Sequence, residues 1–151
     1  MIPREKIYTA LFSLVEPLGN GKPFKTVSRE VIEVQTVPVG KQPVLFMDEA
    51  FEENTDSGLG LIGRKFTVFF HIGCTTEKGN AASTVLNPLI DAVELAVTQT
   101  GIDETQRLGL GDLILEAKPK GMAIKNLGNN STDPLKRQAV CYLPVEVTFS
   151  F

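Results

Sequence analysis

The stretch RKFTVFFHIGCTT, Arg64 to Thr76, decides the fold because apolar residues occupy every second position through most of it. The apolar side consists of Phe66, Val68, Phe70, Ile72 and Cys74. The other side consists of Lys65, Thr67, Phe69, His71 and Gly73. Successive side chains of a β-strand point to opposite faces, so this pattern predicts a strand with one face in the core.

The end of the chain, QAVCYLPVEVTFSF, repeats this alternation. Its apolar side is Cys141, Leu143, Val145, Val147, Phe149 and Phe151. Two strands with one apolar face each are natural antiparallel partners. Pro144 has no N–H to donate, so we predict a sheet edge or a bulge beside it.

Two amphipathic helices are predicted by apolar residues at three- and four-residue spacing. The first runs from Pro3 until Pro17 and the glycines that follow, and its apolar face is Ile7, Ala10, Leu11, Leu14 and Val15. For the second, Asn87 is the expected N-cap, Pro88 the first helical residue and Gly101 the closing residue.

Further strands are predicted from shorter patterns. They are Pro23–Val27, the continuously apolar run Val44–Met47, which suits a strand buried on both faces, and a weaker pair at Leu113–Ala117 and Gly121–Lys125. Residues 28–42 suit either a helical turn or an extended run, and 51–63 is predicted to be an acidic loop that becomes rich in glycine. The order of elements predicts one α+β domain over residues 1–151, with a mostly antiparallel β-sheet packed on one face by two main helices.

Composition narrows the class of protein. With 151 residues and 42% hydrophobic residues, the chain can bury a core without disulfides or a metal, and Cys74 and Cys141 in apolar surroundings are predicted to be buried free thiols. The net charge of −3 argues against sequence-specific binding of nucleic acid. The start resembles no signal peptide and no apolar run is long enough for a membrane span, so we expect a soluble, cytoplasmically assembled protein.

The residues capable of chemistry are predicted to be structural, and we expect neither an enzyme nor a cofactor. His71 has Phe69 and Gly73 as same-face neighbours on its strand, and neither supplies a nucleophile or a carboxylate. The GxGxxG pattern of Gly58, Gly60 and Gly63 leads into a strand and not into a helix, which argues for a loop and against a dinucleotide site. The acidic residues from 48 to 56 lack the spacing of a calcium loop, so we expect a solvated surface and no metal.

Charge is distributed unevenly along the chain. Acidic residues concentrate in the middle and basic residues late, and patches of opposite sign on one subunit can meet head-to-tail on its neighbours. The residues predicted to form such contacts are Glu52, Glu53, Asp56, Lys118, Lys120, Lys136 and Arg137.

The order of segments resembles the tail terminator (tail completion) proteins of long-tailed bacteriophages over nearly the whole chain. The segments that carry the resemblance are MIPREKIYTALFSLV, FKTVSRE, QPVLFMDEAFEE, KFTVFFHI, STVLNPLIDAVELAV and QAVCYLPVEVTFSF. The resemblance implies a compact α/β fold and a ring, commonly hexameric, in the tail of a virion assembled in the host cytoplasm. Such a ring caps the tail tube protein, ends tube polymerisation, and offers the docking surface for the head–tail connector proteins.

In such a ring DNA passes through the lumen, where an acidic loop would repel its phosphates. The loops 52–63 and 126–136 are candidates for ordering on assembly. Two other functions stay open from the residues alone. One is another neck or tail component of a phage, and the other is a small-molecule-binding α+β domain that uses the Gly58–Gly63 loop and His71.

Overall fold

The computed structural model describes residues 4–56, 62–77, 81–98, 114–119, 124–127 and 136–150. Its helices are α1 (Arg4–Val15) and α2 (Ser83–Thr98). Its strands are β1 (Thr26–Ser28), β2 (Val44–Asp56), β3 (Ile62–Glu77), β4 (Ile114–Pro119), β5 (Ile124–Leu127) and β6 (Lys136–Ser150). Short 3-10 turns span Glu16–Leu18, Val34–Thr36 and Val39–Lys41. The predicted α+β class is confirmed.

All the described strands belong to one sheet in the order β1-β2-β3-β6-β4, and β5 also pairs with β6. Only β1 and β2 are parallel, so the sheet is mostly antiparallel, as predicted. The predicted partnership of the two alternating segments is also confirmed, because β3 pairs with β6 from Gly63 opposite Ser150 to Glu77 opposite Lys136. These two long strands form the centre of the sheet.

The main core lies between the two helices and one face of the sheet. Both helices contribute their apolar stripes, which consist of Ile7, Tyr8, Leu11, Val15, Leu86, Leu89, Ile90, Val93 and Val97. The sheet contributes the predicted alternating side of β3, that of β6 as far as Phe149, and Leu45 and Met47 of β2. The predicted member Phe151 lies outside the described residues. Cys74 and Cys141 are buried there as free thiols, as predicted, and burial raises the pKa of each to about 11. Helix-sheet packing on this face therefore holds most of the buried apolar residues in the part of the chain that the structure describes.

A smaller cluster lies on the opposite face of the sheet. Val34, in the turn after β1, packs there with the buried residues Val44 and Phe46. The Gln42 side chain fastens this segment, since it donates to the Val37 carbonyl at 2.9 Å and accepts from the Thr75 hydroxyl at 2.6 Å. The turn segment 34–42 thus covers one end of this second face, which explains why the run Val44–Met47 is apolar on both sides.

The prediction of a loop over 51–63 is wrong for most of that range. Strand β2 continues to Asp56 and β3 begins at Ile62, so the hairpin end extends well beyond the apolar core. Polar pairs across the two strands replace apolar ones there: Lys65 contacts Glu53 at 2.6 Å, and Arg64 donates to the Asn54 side chain at 2.9 Å. The sequence of this end of the hairpin lacks the apolar alternation by which strands are recognised. Cross-strand polar contacts stabilise the two strands there instead.

Other boundaries also differ from the prediction. Helix α2 begins at Ser83, so Pro88 lies inside it, and the Asn87 side chain accepts a hydrogen bond from Lys125 at 2.9 Å instead of capping. Leu86, two residues before the expected first helical residue, is fully buried, and tertiary packing therefore extends the helix past its local start signal. Strand β1 is shorter and lies later than Pro23–Val27. The described helices include none that is both long and apolar enough to cross a bilayer.

At Pro144, strand β6 pairs with β3 on one side and with no described residue on the other, so the expected local interruption of pairing is found there. Pro144 lies opposite Phe69 of β3 on one side. On its other side the pairing is interrupted, since β4 ends opposite Val145 and β5 begins opposite Tyr142. Among the described residues, this break in the pairing falls where the missing N–H of Pro144 would weaken a ladder.

Candidate interaction surface on the hairpin of β2 and β3

The hairpin formed by β2 and β3 carries its charged residues on both faces of the sheet. A register shift between Glu49 and Phe51 places an extra residue, Ala50, in β2. Because of this extra residue, the side chains that follow it in β2 switch faces of the sheet. Glu52 lies opposite Phe66 on the helix-covered face, and Glu53 lies opposite Lys65 on the other face. Two adjacent glutamates predicted to act together therefore face opposite ways.

Glu52 anchors helix α1 to the hairpin. Its carboxylate accepts hydrogen bonds from the Arg4 guanidinium at 2.8 Å and the Tyr8 hydroxyl at 3.1 Å, and Arg64 of β3 approaches it at 3.4 Å. Burial acts to raise the pKa of Glu52, but the bonds from Arg4 and Tyr8 and the neighbouring positive charges outweigh it, so the pKa lies below its ordinary value. Burial, followed by the hydrogen bond to Glu52, raises the pKa of Tyr8.

A second ion-pair group lies beside the first. Arg29, just after β1, contacts Glu5 of α1 and Glu49 of β2, each at 2.6 Å. The hydrogen bond from Arg29 lowers the pKa of Glu5, with a smaller contribution from Thr9. The carboxylates of Glu5, Glu49 and Glu52 are thus engaged within the chain, and together they hold α1 against the sheet.

The opposite face of the hairpin carries an aromatic pair, the exposed Phe51 and the half-buried Phe69. Phe51 is 63% exposed, and its ring meets that of Phe69 edge-on, with centroids 6.2 Å apart. The Lys65 ammonium lies beside the pair, 2.6 Å from Glu53 and 3.7 Å from Glu146, and the hydrogen bond to Glu53 raises its pKa. We call Phe51, Phe69, Glu53, Lys65 and Glu146 the aromatic patch.

Neither described helix covers the aromatic patch. Both helices pack on the other face, and the turn segment 34–42 covers only the end of this face around Val44 and Phe46. Phe51 is also the most exposed large apolar side chain of the part of the chain that the structure describes. An aromatic pair surrounded by charges of both signs has the composition of a protein-contact surface.

His71 has a carboxylate partner, which corrects the argument from its own strand. Its Nε2 lies 3.2 Å from Oδ2 of Asp48, and its ring meets that of Tyr142 edge-on at 4.8 Å. Asp48 is on β2, diagonal to His71 in the register, so inspection of one strand could not find it. Within the described ranges, no group of three or more His, Cys, Asp or Glu side chains could hold a metal ion.

The structure separates the predicted basic residues. Lys118 is on β4 opposite Glu146, whereas Lys136 opens β6 and Arg137 lies opposite Thr76 of β3. At about 3.3 Å per residue, the ten residues from 136 to 146 place Lys118 roughly 30 Å from that end of β6. Asp56 ends β2, Gly63 is paired within β3, and Lys120, Gly58 and Gly60 lie outside the described residues.

Several residues of the site escaped the sequence analysis. Arg4, Tyr8 and Arg64 gave no signal, because their contact with Glu52 depends on how α1 docks on the hairpin. Phe51 does stand out in the sequence, because it is a lone aromatic residue within the acidic run DEAFEENTD. No protein-family model matches the chain, and a search of curated proteins finds no match to it.

Proposed function

We propose that this protein is a structural subunit of a phage tail, a tail terminator that assembles into a ring. The ring, a hexamer in the form expected from the resemblance, caps the tail tube, ends its polymerisation and offers a docking surface to the head connector. Its place of action is the virion, and its assembly takes place in the host cytoplasm. The subunit acts through its surfaces and requires no cofactor.

The observation that carries this proposal is the aromatic patch. Exposing most of a phenylalanine on a sheet face costs solvation free energy, which a subunit recovers only when another protein covers the residue. The patch also holds Glu53 and Glu146 on either side of Lys65, so its polar border can form directional contacts with a neighbour. A subunit that is functional only in an assembly has a physical reason for this arrangement.

The ion pairs on the helix-covered face support the same proposal. Arg4, Arg29 and Arg64 hold α1 and the hairpin in one fixed relation through Glu5, Glu49 and Glu52. A ring closes only if every subunit presents its two contact surfaces at the same angle. Rigid attachment of the helix layer to the protruding hairpin is therefore useful for closure.

The test is self-association of the purified chain, measured by size-exclusion chromatography with light scattering over a range of concentrations. We expect a single large species that forms as concentration rises, and negative-stain images of it with an open centre. Phe51→Ala should weaken that association about tenfold, the effect of losing one aromatic contact worth roughly 1–2 kcal/mol. A chain that stays monomeric at all concentrations would contradict the proposal.

Leu95→Ala is the matched control, because Leu95 is 58% exposed but lies on α2, away from the aromatic patch. It should leave association unchanged. If Leu95→Ala dissociates the ring and Phe51→Ala does not, the patch is not a subunit contact and the carrying observation fails.

A second candidate, a small-molecule-binding domain, is favoured by one observation, the contact between Asp48 and His71 beside Tyr142. A carboxylate-held imidazole next to an aromatic ring can bind a polar ligand. The same chromatography separates the two candidates, since a small-ligand binder has no need of a large closed species. A different neck or tail subunit would also form rings, and particles lacking the protein distinguish it: loss of the terminator should give overlong tails without heads.

A further inference from the structure

The turn between α1 and β1 contains the one Asn-Gly pair of the sequence, Asn20–Gly21, in the stretch LGNGKPF. Both residues lie in the left-handed region of backbone space, with φ of 58° and 79°. The Lys22 N–H closes the turn across them, since it donates to the Gly19 carbonyl at 3.2 Å. Positive φ at both central residues is the mark of a type I′ turn, for which Asn-Gly is a favoured sequence.

An Asn-Gly pair can also lose its side-chain amide without an enzyme. The backbone nitrogen of the glycine attacks the side-chain carbonyl carbon (Cγ) of the asparagine, because no glycine side chain hinders the approach. A bond forms between that nitrogen and Cγ, the bond from Cγ to the amide nitrogen breaks, and ammonia leaves with the proton that the glycine nitrogen gives up. Water then opens the five-membered ring at either of its carbonyls, which yields aspartate or isoaspartate.

The surroundings of this pair leave room for the reaction. Asn20 is exposed, so water has access to its side chain. A Cβ built at Gly21 would meet no atom within 4 Å, so the space beside the attacking nitrogen is open. Neither burial nor crowding therefore limits the reaction at this position, and its rate depends on the hydrogen bonds of the turn.

Those hydrogen bonds hold back the attacking nitrogen. The Gly21 N–H donates to the Phe24 carbonyl at 2.8 Å, so the proton that the nitrogen must give up is held in a hydrogen bond. Phe24 is fully buried, and its own N–H donates to the Leu18 carbonyl at 2.9 Å, so the acceptor is itself fixed in place. Ring closure also requires rotation about the Cα–C bond of Asn20, which the hydrogen bond that closes the turn opposes.

We propose that Asn20 is a site of spontaneous deamidation that the folded turn protects, so that the modification proceeds when the turn opens. Aspartate at this position keeps the length of the main chain. Isoaspartate lengthens it, because the main chain then runs through the former side-chain carbon. The hydrogen bonds on either side of Gly21 cannot both form across the longer link, and the buried Phe24 loses its attachment to the turn. Isoaspartate formed in an opened turn therefore prevents that turn from closing again.

The test compares the folded chain with the chain unfolded in guanidinium chloride, incubated at one pH and temperature and followed by peptide mass spectrometry. Conversion of Asn20 should be at least about tenfold slower in the folded chain, because only the open fraction of the turn reacts. The synthetic peptide LGNGKPF should react as fast as the unfolded chain. Asn87 is the internal reference, since the nitrogen of Pro88 has no proton to give up, and it should convert slowly in both states. Equal rates at Asn20 in the two states would overturn the protection, and an unreactive peptide would overturn the site itself.

A second comparison separates the added charge from the longer main chain. Chains with isoaspartate at position 20 are isolated by chromatography from protein aged in the unfolded state and are then refolded. Asn20→Asp is the matched control, because it carries the same added charge on a main chain of ordinary length. It should unfold at nearly the same urea concentration as the original chain, whereas the isoaspartate form should unfold at a lower one. An isoaspartate form as stable as Asn20→Asp would overturn the claim that the longer link prevents closure of the turn.

Discussion

Gly73 is the residue whose replacement tests the packing of the second sheet face most sharply. A Cβ built at Gly73 lies 2.5 Å from both Cγ atoms of Val34 and 3.1 Å from its Cβ. Side-chain carbons essentially never approach more closely than 3.0 Å, so Gly73→Ala must displace the turn that carries Val34. Glycine within a strand is expected where another segment approaches this closely.

The loss of stability expected for Gly73→Ala follows from the burial of the displaced side chain, that of Val34. Val34 is 6% exposed, and losing the burial of such a side chain costs about 1.5–3 kcal/mol, so we expect Gly73→Ala to lower the free energy of unfolding by about 2 kcal/mol. Val34→Ala removes two methyl groups, at about 0.8 kcal/mol each, and should cost about 1.6 kcal/mol. Val34→Ala also removes the two Cγ atoms with which a Cβ at residue 73 would clash. The variant that carries both changes should therefore lose only about 2 kcal/mol of unfolding free energy, well below the sum of the two single losses.

Urea unfolding of the dilute monomer, followed by circular dichroism, measures these differences as shifts of the midpoint at constant slope. Gly40→Ala is the control, because a Cβ there meets nothing within 4 Å, and it should change stability by no more than about 0.5 kcal/mol. If Gly73→Ala unfolds at the same urea concentration as the original chain, close packing of Val34 on Gly73 is refuted. It is refuted equally if the costs of the two changes simply add.

Two further predictions follow from buried or paired titratable groups. The pKa of Glu52 is lowered in the folded chain, so the stabilisation from its ion pairs is present above the ordinary glutamate pKa of about 4.3 and is lost as pH falls through the folded value. Because solvent screens these partly exposed ion pairs, Glu52→Gln should lower the free energy of unfolding by no more than about 1 kcal/mol at pH 7, and by progressively less in acid. A stability difference that does not vary with pH would contradict this. Because burial raises the pKa of Cys74 and Cys141 to about 11, a thiol reagent at pH 7–8 should label them only as fast as the chain unfolds, and rapid labelling of the native protein would refute their burial.

The strands and their apolar faces could be predicted because alternation is a local property. The sides Phe66–Cys74 and Cys141–Phe149 are buried as their sequence indicates, and the stripe of α1 that contains Ile7, Leu11 and Val15 packs as expected. Each of these segments needs one apolar face, and any fold that buries it places the same residues inside. The antiparallel partnership of β3 and β6 follows from the same requirement.

The contacts that form the candidate site could not be predicted, since they join residues far apart in the chain. Asp48 reaches His71 only because of the register between β2 and β3. Glu52 meets Arg4 and Tyr8 only because the bulge at Ala50 turns it to the helix side, while Glu53 faces the opposite way.

The sequence by itself therefore determined the class of fold, the two central strands and the buried thiols, because hydrophobic periodicity acts over a few residues. The tertiary structure alone decided that most of the expected acidic loop is paired strand, and that Phe51 is exposed on it. The physical reason is that register and bulge position are set by the sum of contacts between strands, which no single segment contains.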